Sequence, residues 1–236
     1  MQYLGLNLQV KESSSLKEIT LNVEEDLPAK DINVNGDPSS AAFLVAAALL
    51  IEGSEILVKN IMINKYRIGF YEVLKMMGAN ITFENIREDS GEKIADIRAK
   101  YSKLKAVLVP AHFAASMIDE YPILAILAAK AEGTTRMVGL AELRVKESDR
   151  LIAIYNNLIK CGVEAEHGDD WLEVSFCNEV VATQTIETFH DHRIAMSFLI
   201  LGLTAPDGVA VDDIKMINTS FPEFFSRLKE LGVKID

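Results

Sequence analysis

Three all-apolar runs recur along the chain, and each occupies the same place in a repeated layout. A short polar opening precedes each run, and a Gly or Pro turn and a short β-branched strand follow it. Because a helix that is apolar on every side belongs in a protein interior, we predict three buried helices. The segments are GDPSSAAFLVAAALLIEGSEILVKNI from Gly36, SMIDEYPILAILAAKAEGTTRMVGL from Ser116 and FHDHRIAMSFLILGLTAPDGVAVDDI from Phe189.

An amphipathic segment follows each buried run, and its apolar residues recur at three- and four-residue spacing. The segments FYEVLKMMGANITF, IAIYNNLIKCGVEAE and FFSRLKELGVKI predict outer helices that end at Gly78, Gly162 and Gly232, each followed by a strand. The order of elements indicates a mixed α/β (α+β) fold of three pseudo-symmetric repeats around a shared core. We place the repeats at about 31–110, 111–182 and 183–236.

The first residues do not open a repeat. YLGLNLQV resembles the ends of the outer segments, LGVKI and MGANI. We therefore interpret residues 1–30 as the tail of a preceding repeat, and residues 31–236 as the main globe. This pattern predicts a truncated protein or a fragment.

Composition restricts the classes of function. The chain has 236 residues, 49% of them hydrophobic, and a net charge of −11. The acidic balance argues against nonspecific binding to nucleic acid or to an anionic membrane, but a local basic pocket can still bind an anionic small molecule. Cys161 and Cys177 form no CxxC pair and have no accompanying metal-ligand spacing. With no visible signal peptide or spanning segment, we expect a cytoplasmic protein without membrane contact.

The heptapeptide RVKESDR, just before the second outer helix, is the densest charged motif. Arg150 offers a planar fork for a carboxylate or phosphate, and Lys146 offers a point charge. Glu147, beside two cations, could donate or accept a proton. The alternative is a solvated first helical turn that Ser148 or Asp149 caps.

Two further polar openings carry candidate chemistry. His192 and Arg193 add positive charge to the start of the third buried helix, where an anion would be favourable. The alternative is that Asp191 caps this helix while His192 and Arg193 point to solvent. Asp119 and Glu120 begin the second buried helix, where one could be a general base and where capping is the default explanation for the other.

The repeated layout predicts that the polar segments at the starts of the three buried helices lie close together. If the three buried helices pack in parallel, their N-terminal ends meet at one surface, together with Lys146, Arg150 and Arg193. Such a surface would concentrate an anionic substrate even though the protein as a whole is acidic.

The motifs GDPSSAAF, SMIDEYP, ELRVKESDRL, DHRIAMSF and SFPEFF, taken in this order, resemble the C-terminal half of the EPSP synthase (3-phosphoshikimate 1-carboxyvinyltransferase) family. The resemblance implies an inside-out α/β prism, in which each of two globes has three βαβαββ units around buried parallel helices. It implies transfer of the enolpyruvyl group of phosphoenolpyruvate to the 5-hydroxyl of shikimate 3-phosphate, without a metal or other cofactor.

The resemblance also assigns roles by position. Asp119 matches the proton acceptor that contacts the shikimate hydroxyls, and Glu147 matches the acid–base residue for the methylene proton. Lys146 matches a phosphoshikimate ligand. Arg150 and Arg193 match the phosphoenolpyruvate clamp.

The family's N-terminal motifs have no counterpart in this chain, so the resemblance predicts about half an active site and a missing N-terminal half as partner. Thr219 stands where many members have lysine, as in the glyphosate-insensitive class. Two other functions stay open. One is a non-catalytic remnant or binding module, and the other, which RVKESDR and DHR disfavour, is an enolpyruvyl transferase that acts on a UDP-sugar.

Overall fold

The computed structural model describes residues 2–14, 16–22 and 29–234. In these ranges the strands are β1 (Asn7–Glu12), β2 (Lys17–Asn22), β3 (Glu55–Met62), β4 (Asn80–Asp89), β5 (Glu92–Lys100), β6 (Leu108–Val109), β7 (Thr134–Val138), β8 (Ala165–His167) and β9 (Trp171–Ser175). The helices are α1 (Pro38–Leu50), α2 (Gly69–Met76), α3 (Ala114–Met117), α4 (Tyr121–Ala129), α5 (Arg150–Lys160), α6 (His192–Gly202), α7 (Ile217–Ser220) and α8 (Phe224–Glu230).

The three apolar runs form α1, α4 and α6, which pack against one another as predicted. Every residue of α4 is buried, and only small parts of α1 and α6 reach the surface. Asp37 caps α1 by accepting hydrogen bonds from the backbone N–H groups of Ser39 and Ser40. Pro38 fits the first turn because it lacks the N–H that a first helical residue would leave unpaired.

Each buried helix joins two stretches of chain that pair in parallel. Gly36 bridges Ile61 around α1, β6 pairs with β7 around α4, and Ile186 bridges Val211 around α6. Parallel pairing requires a crossover connection, and here the apolar helix is that connection. The same strand–helix–strand unit therefore occurs three times.

Two sheets lie outside the buried helices. One has the order β3-β5-β4 and is antiparallel throughout, and the other has the order β6-β7-β9-β8 with only β6 and β7 parallel. The amphipathic segments form α2, α5 and α8. Gly78, Gly162 and Gly232 follow them at φ +81°, +73° and +91°, left-handed values that a side chain would oppose. The predicted helix ends are confirmed.

The third unit differs from the prediction. The sequence predicts a strand in the segment VAVDDI after α6. In the structure this segment forms only one isolated bridge, between Val211 and Ile186. β-branched residues favour a strand only where a neighbouring strand completes the ladder, and the described part of the chain supplies none beside Val211.

The hairpin of β1 and β2 lies within the segment interpreted as a preceding repeat, of which residues 1, 15 and 23–28 are outside the described ranges. The hairpin is exposed along most of its length, including the apolar residues Val10, Leu16 and Ile19. None of the helices in the described ranges is both long and apolar enough to cross a bilayer.

Candidate active site

The N-terminal ends of α1, α4 and α6 lie close together and bring distant motifs to one place. Arg193, in the first turn of α6, lies 3.6 Å from the carboxylate of Asp119 and 3.8 Å from that of Glu120, the residues just before α4. Arg67 donates a hydrogen bond of 3.2 Å to Ser39 in the first turn of α1. Ser39 also lies against Glu120, and α1 contacts the helical turn Ile118–Glu120 that leads into α4. The predicted convergence of these ends is thus present in the structure.

Arg150 is the centre of the cluster. Its side chain is fully buried, and its guanidinium group contacts Asp191 at 2.7 Å, Asp119 at 2.8 Å and Glu147 at 2.5 Å. Burial alone would lower the pKa of Arg150, but the hydrogen bond and charge of Asp191, together with the charges of Glu147 and Asp119, outweigh it and raise the pKa. Arg150 therefore stays charged and is held by three carboxylates.

Asp191 links α5 to α6. It caps α6 by accepting the backbone N–H of Arg193 at 2.9 Å, and it also accepts hydrogen bonds from Arg150 and from the Ser148 hydroxyl at 3.1 Å. Capping by Asp191 is thus correct, but the solvent-facing alternative for Arg193 is wrong, because its side chain is only 15% exposed. Asp149 caps α5 through the backbone N–H of Ile152.

Asp119 and Glu120 differ in exposure and in the direction of their pKa shifts. Burial opposes ionisation of Asp119, but Arg193 and Arg150 hold its pKa below the usual range. Its side chain is 35% exposed, so an ionised carboxylate reaches the surface. Burial raises the pKa of Glu120. Neither residue caps α4 through its side chain, so the capping explanation is wrong for this pair.

Lys146, Glu147 and His192 complete the group of predicted site residues. The Lys146 ammonium lies 2.8 Å from Glu142, and the Glu147 side chain is 49% exposed while it contacts Arg150. His192 is partly buried at the start of α6, and burial and the charge of Arg193 lower its pKa. Each of the six predicted residues thus contacts another member of the set or lies within range of its charge.

The sequence did not reveal two residues that hold the charged cluster in place, Asp191 and Arg67. It marked Asp191 only as a cap, although this residue also anchors Arg150. It did not mark Arg67, which pairs with Asp37 at 3.3 Å and binds Ser39. The Asp37 cap was recognisable, but nothing local in the sequence could place Arg67 beside it.

The arrangement fits acid–base chemistry on an anion. An ionised, partly exposed carboxylate can accept a proton or a hydroxyl hydrogen bond, and a guanidinium group beside it can bind a carboxylate or phosphate. Asp119 and Arg193 are such a pair, and Glu147 supplies a second accessible carboxylate. Within the described ranges, no three His, Cys, Asp or Glu side chains are grouped to hold a metal ion.

Comparison with known proteins identifies the chain's relatives. Residues 1–228 match the family model described as EPSP synthase (3-phosphoshikimate 1-carboxyvinyltransferase). The 3-phosphoshikimate 1-carboxyvinyltransferase of Paramagnetospirillum magneticum is 51% identical over 237 residues, an alignment that covers 100% of this chain and 53% of the relative. The corresponding protein of Jannaschia sp. is 47% identical, with coverage of 98% and 52%. The chain spans about half the length of these curated relatives.

Solved structures agree with the sequence relatives. The EPSP synthase of Acinetobacter baumannii superposes with a TM-score of 0.93 at 36% identity, over 100% of this chain and 54% of that one. The enolpyruvyl transferase NikO from Streptomyces tendae superposes at 0.72 with 17% identity, over 100% of this chain and 52% of that one, which indicates a shared fold.

Proposed function

We propose a function from one established premise: the chain belongs to the EPSP synthase family. The proposal is that it is the C-terminal part of a 3-phosphoshikimate 1-carboxyvinyltransferase. The complete enzyme would transfer the enolpyruvyl group of phosphoenolpyruvate to the 5-hydroxyl of shikimate 3-phosphate and release phosphate. The observation that carries this proposal is that RVKESDR, DHR and DE, dispersed in sequence, form one charged cluster around Arg150.

In this reaction Asp119 would accept a proton from the shikimate hydroxyl. Its low pKa keeps it ionised at neutral pH, and its side chain is partly exposed where a substrate can approach. A carboxylate held by two guanidinium groups is also well oriented, because both partners come from helix starts that are themselves anchored.

Glu147 would handle the methylene proton of the enolpyruvyl group. It lies on the same surface as Asp119 and is bound to the same arginine, so two carboxylates can act on one substrate. Its greater exposure suits a residue that has to gain and lose a proton in one cycle.

The substrate anions would be bound by Lys146, Arg150, His192 and Arg193. Lys146 pairs with the exposed Glu142 at 2.8 Å. Arg193 lies 3.6 Å or more from the carboxylates of Asp119 and Glu120 and donates a hydrogen bond of 3.4 Å to the Asp119 backbone carbonyl. Arg150 is enclosed, so its direct contact with phosphoenolpyruvate would require Glu147 or Asp119 to release a guanidinium nitrogen. Substrate binding and the freeing of a catalytic carboxylate would then be one event.

The proposed architecture is one globe of an inside-out α/β prism, with pseudo-threefold repeats at about 31–110, 111–182 and 183–236. The three parallel pairings around α1, α4 and α6 support it. We assign residues 1–30 to a preceding repeat in the missing N-terminal half, because the β1–β2 hairpin leaves apolar residues exposed. That half would supply the facing wall of the site.

The glyphosate-insensitive class is a finer proposal. Thr219 occupies the place where many members carry lysine, and its hydroxyl donates to the Met216 carbonyl at 2.6 Å instead of presenting a charge. Inhibition of the reconstituted enzyme by glyphosate tests it, and strong inhibition would contradict it. The cytoplasmic location stays a prediction.

The test is a fused enzyme in which the part of the Paramagnetospirillum magneticum relative that this chain does not match precedes this chain. We expect the fusion to form EPSP and phosphate, and we expect Asp119→Asn and Glu147→Gln to abolish turnover without loss of folding. The chain alone should be inactive and bind shikimate 3-phosphate weakly. Full activity of the chain alone would contradict the claim that essential groups are missing.

The alternatives have their own outcomes in this experiment. A folded fusion that neither turns over nor binds shikimate 3-phosphate by calorimetry would favour a non-catalytic remnant. Turnover with a UDP-sugar in place of shikimate 3-phosphate would favour the third candidate function.

A further inference from the structure

Glu120 is a buried carboxyl group immediately before α4. It is only 5% exposed, and it does not cap α4. Its Oε1 atom is buried and accepts no hydrogen bond within the described part of the chain. Leaving a buried polar atom unpaired costs stability, so an apolar residue at this position would be better for stability alone.

The unpaired oxygen faces the guanidinium group of Arg193. Glu120 Oε1 lies 3.8 Å from Nη1 of Arg193, just beyond hydrogen-bond length. Asp119 approaches the same guanidinium group at 3.6 Å, but from the partly exposed side of the cluster. Two carboxylates therefore share one arginine, one at the surface and the other in the interior.

The interior position of Glu120 is itself anchored. The Ser39 hydroxyl and the charge of Arg67 act on the Glu120 carboxyl group. Arg67 is tied to the start of α1 by its bonds to Ser39 and Asp37. Because α4 is fully buried, Glu120 has little freedom to move. Asp119, in contrast, would have to turn toward a substrate in order to accept a proton.

We propose that Glu120 is a positioning residue that holds Arg193 in place for the anionic groups of phosphoenolpyruvate while Asp119 engages the other substrate. This inference rests on the proposed function. When Asp119 bonds to a substrate hydroxyl, Arg193 loses part of its counter-charge at the surface. Glu120 keeps a fixed negative charge behind it, so the outward N–H groups of the guanidinium stay aimed at the ligand.

The direction in which Glu120→Gln changes the melting temperature distinguishes a positioning role of Glu120 from a structural role. Because burial raises the pKa of Glu120, its contribution to stability is fully present below the unfolded value of about 4.3 and is lost as pH rises through the folded pKa. Glu120→Gln should therefore raise the melting temperature at pH 7, with a gain that shrinks as pH falls toward 4. A structural role for the charge predicts a loss at pH 7.

The first experiment uses the fused enzyme with Glu120→Gln. We expect KM for phosphoenolpyruvate to rise about tenfold, as for one partly buried ion pair, while kcat and KM for shikimate 3-phosphate stay within about twofold. Glu230→Gln, which removes an exposed partner of Arg227, is the control and should change none of these. An unchanged KM for phosphoenolpyruvate, or equal loss of kcat with a lower melting temperature, would overturn the proposal.

The second experiment does not depend on turnover. In the chain alone, NMR follows solvent exchange of the Arg193 Nε–H, which is assigned by its disappearance in Arg193→Lys. Glu120→Gln should accelerate this exchange about tenfold, since a less constrained guanidinium opens more often. Unchanged exchange would refute the positioning role even if the parent fusion were inactive, an outcome that would separately count against the proposed function.

Discussion

Replacing Arg150 by methionine should cost more stability than removal of any exposed charge in this chain. Arg150 and Asp191 are both fully buried and lie 2.7 Å apart. The substitution would leave Asp191 with two neutral donors, the Ser148 hydroxyl at 3.1 Å and the Arg193 backbone N–H at 2.9 Å. Removing one partner of a buried ion pair costs about 3–5 kcal/mol, and for a chain of this length that lowers the melting temperature by about 10 °C.

Urea denaturation can measure this cost through the fluorescence of Trp171, the one tryptophan of the chain. Arg227→Met is the matched control. It removes an arginine from an exposed ion pair with Glu230, and it should change the free energy of unfolding by less than about 1 kcal/mol.

A double variant tests the cause. Arg150→Met with Asp191→Asn removes both charges, and asparagine can still cap α6. We expect the double variant to recover most of the stability that Arg150→Met loses, because no unpaired charge stays buried. A loss below about 1 kcal/mol for Arg150→Met, or no recovery in the double variant, would refute the argument that Asp191 depends on Arg150.

Two further predictions concern the backbone and acid stability. Gly139→Ala should destabilise the chain by about 2–4 kcal/mol in urea denaturation. Its φ is +82°, and the added Cβ would lie only 2.6 Å from the Cβ of Ala111. The control Gly53→Ala, at φ +80° in open space, should cost only about 1 kcal/mol. Burial opposes ionisation of Asp119, but Arg193, Arg150 and Lys146 together hold its pKa below the unfolded value. The contribution of Asp119 to stability is therefore present above about pH 4 and is lost as pH falls through the folded pKa. The melting temperature of Asp119→Asn should therefore fall less steeply below pH 4 than that of the parent, and equal slopes would contradict the assignment.

Local patterns in the sequence were sufficient for much of the fold. The burial of α1, α4 and α6 follows from helices that have no polar face, and the helix ends at Gly78 and Gly162 follow from the backbone freedom of glycine. These signals act within a few residues of one another. A reader of the sequence can therefore detect them without knowing the rest of the structure.

The strand predicted around Val211 shows the limit of such signals. A β-branched segment meets the local requirement for a strand, but a ladder needs a neighbour that the segment itself does not specify. In the described residues that neighbour is reduced to one bridge with Ile186. Whether a segment pairs is decided by what the rest of the fold places beside it.

The sequence by itself marked RVKESDR, DHR and DE as charged helix starts and as candidate site residues, but it did not mark Arg67. Only the tertiary structure decided how far each of these side chains is buried and which charged groups it contacts. Arg150 became an enclosed cation among three carboxylates, Asp119 an ionised surface group and Glu120 a buried one with an unpaired oxygen. The physical reason is that burial and charge–charge distances depend on packing among three helix ends that are far apart in the chain.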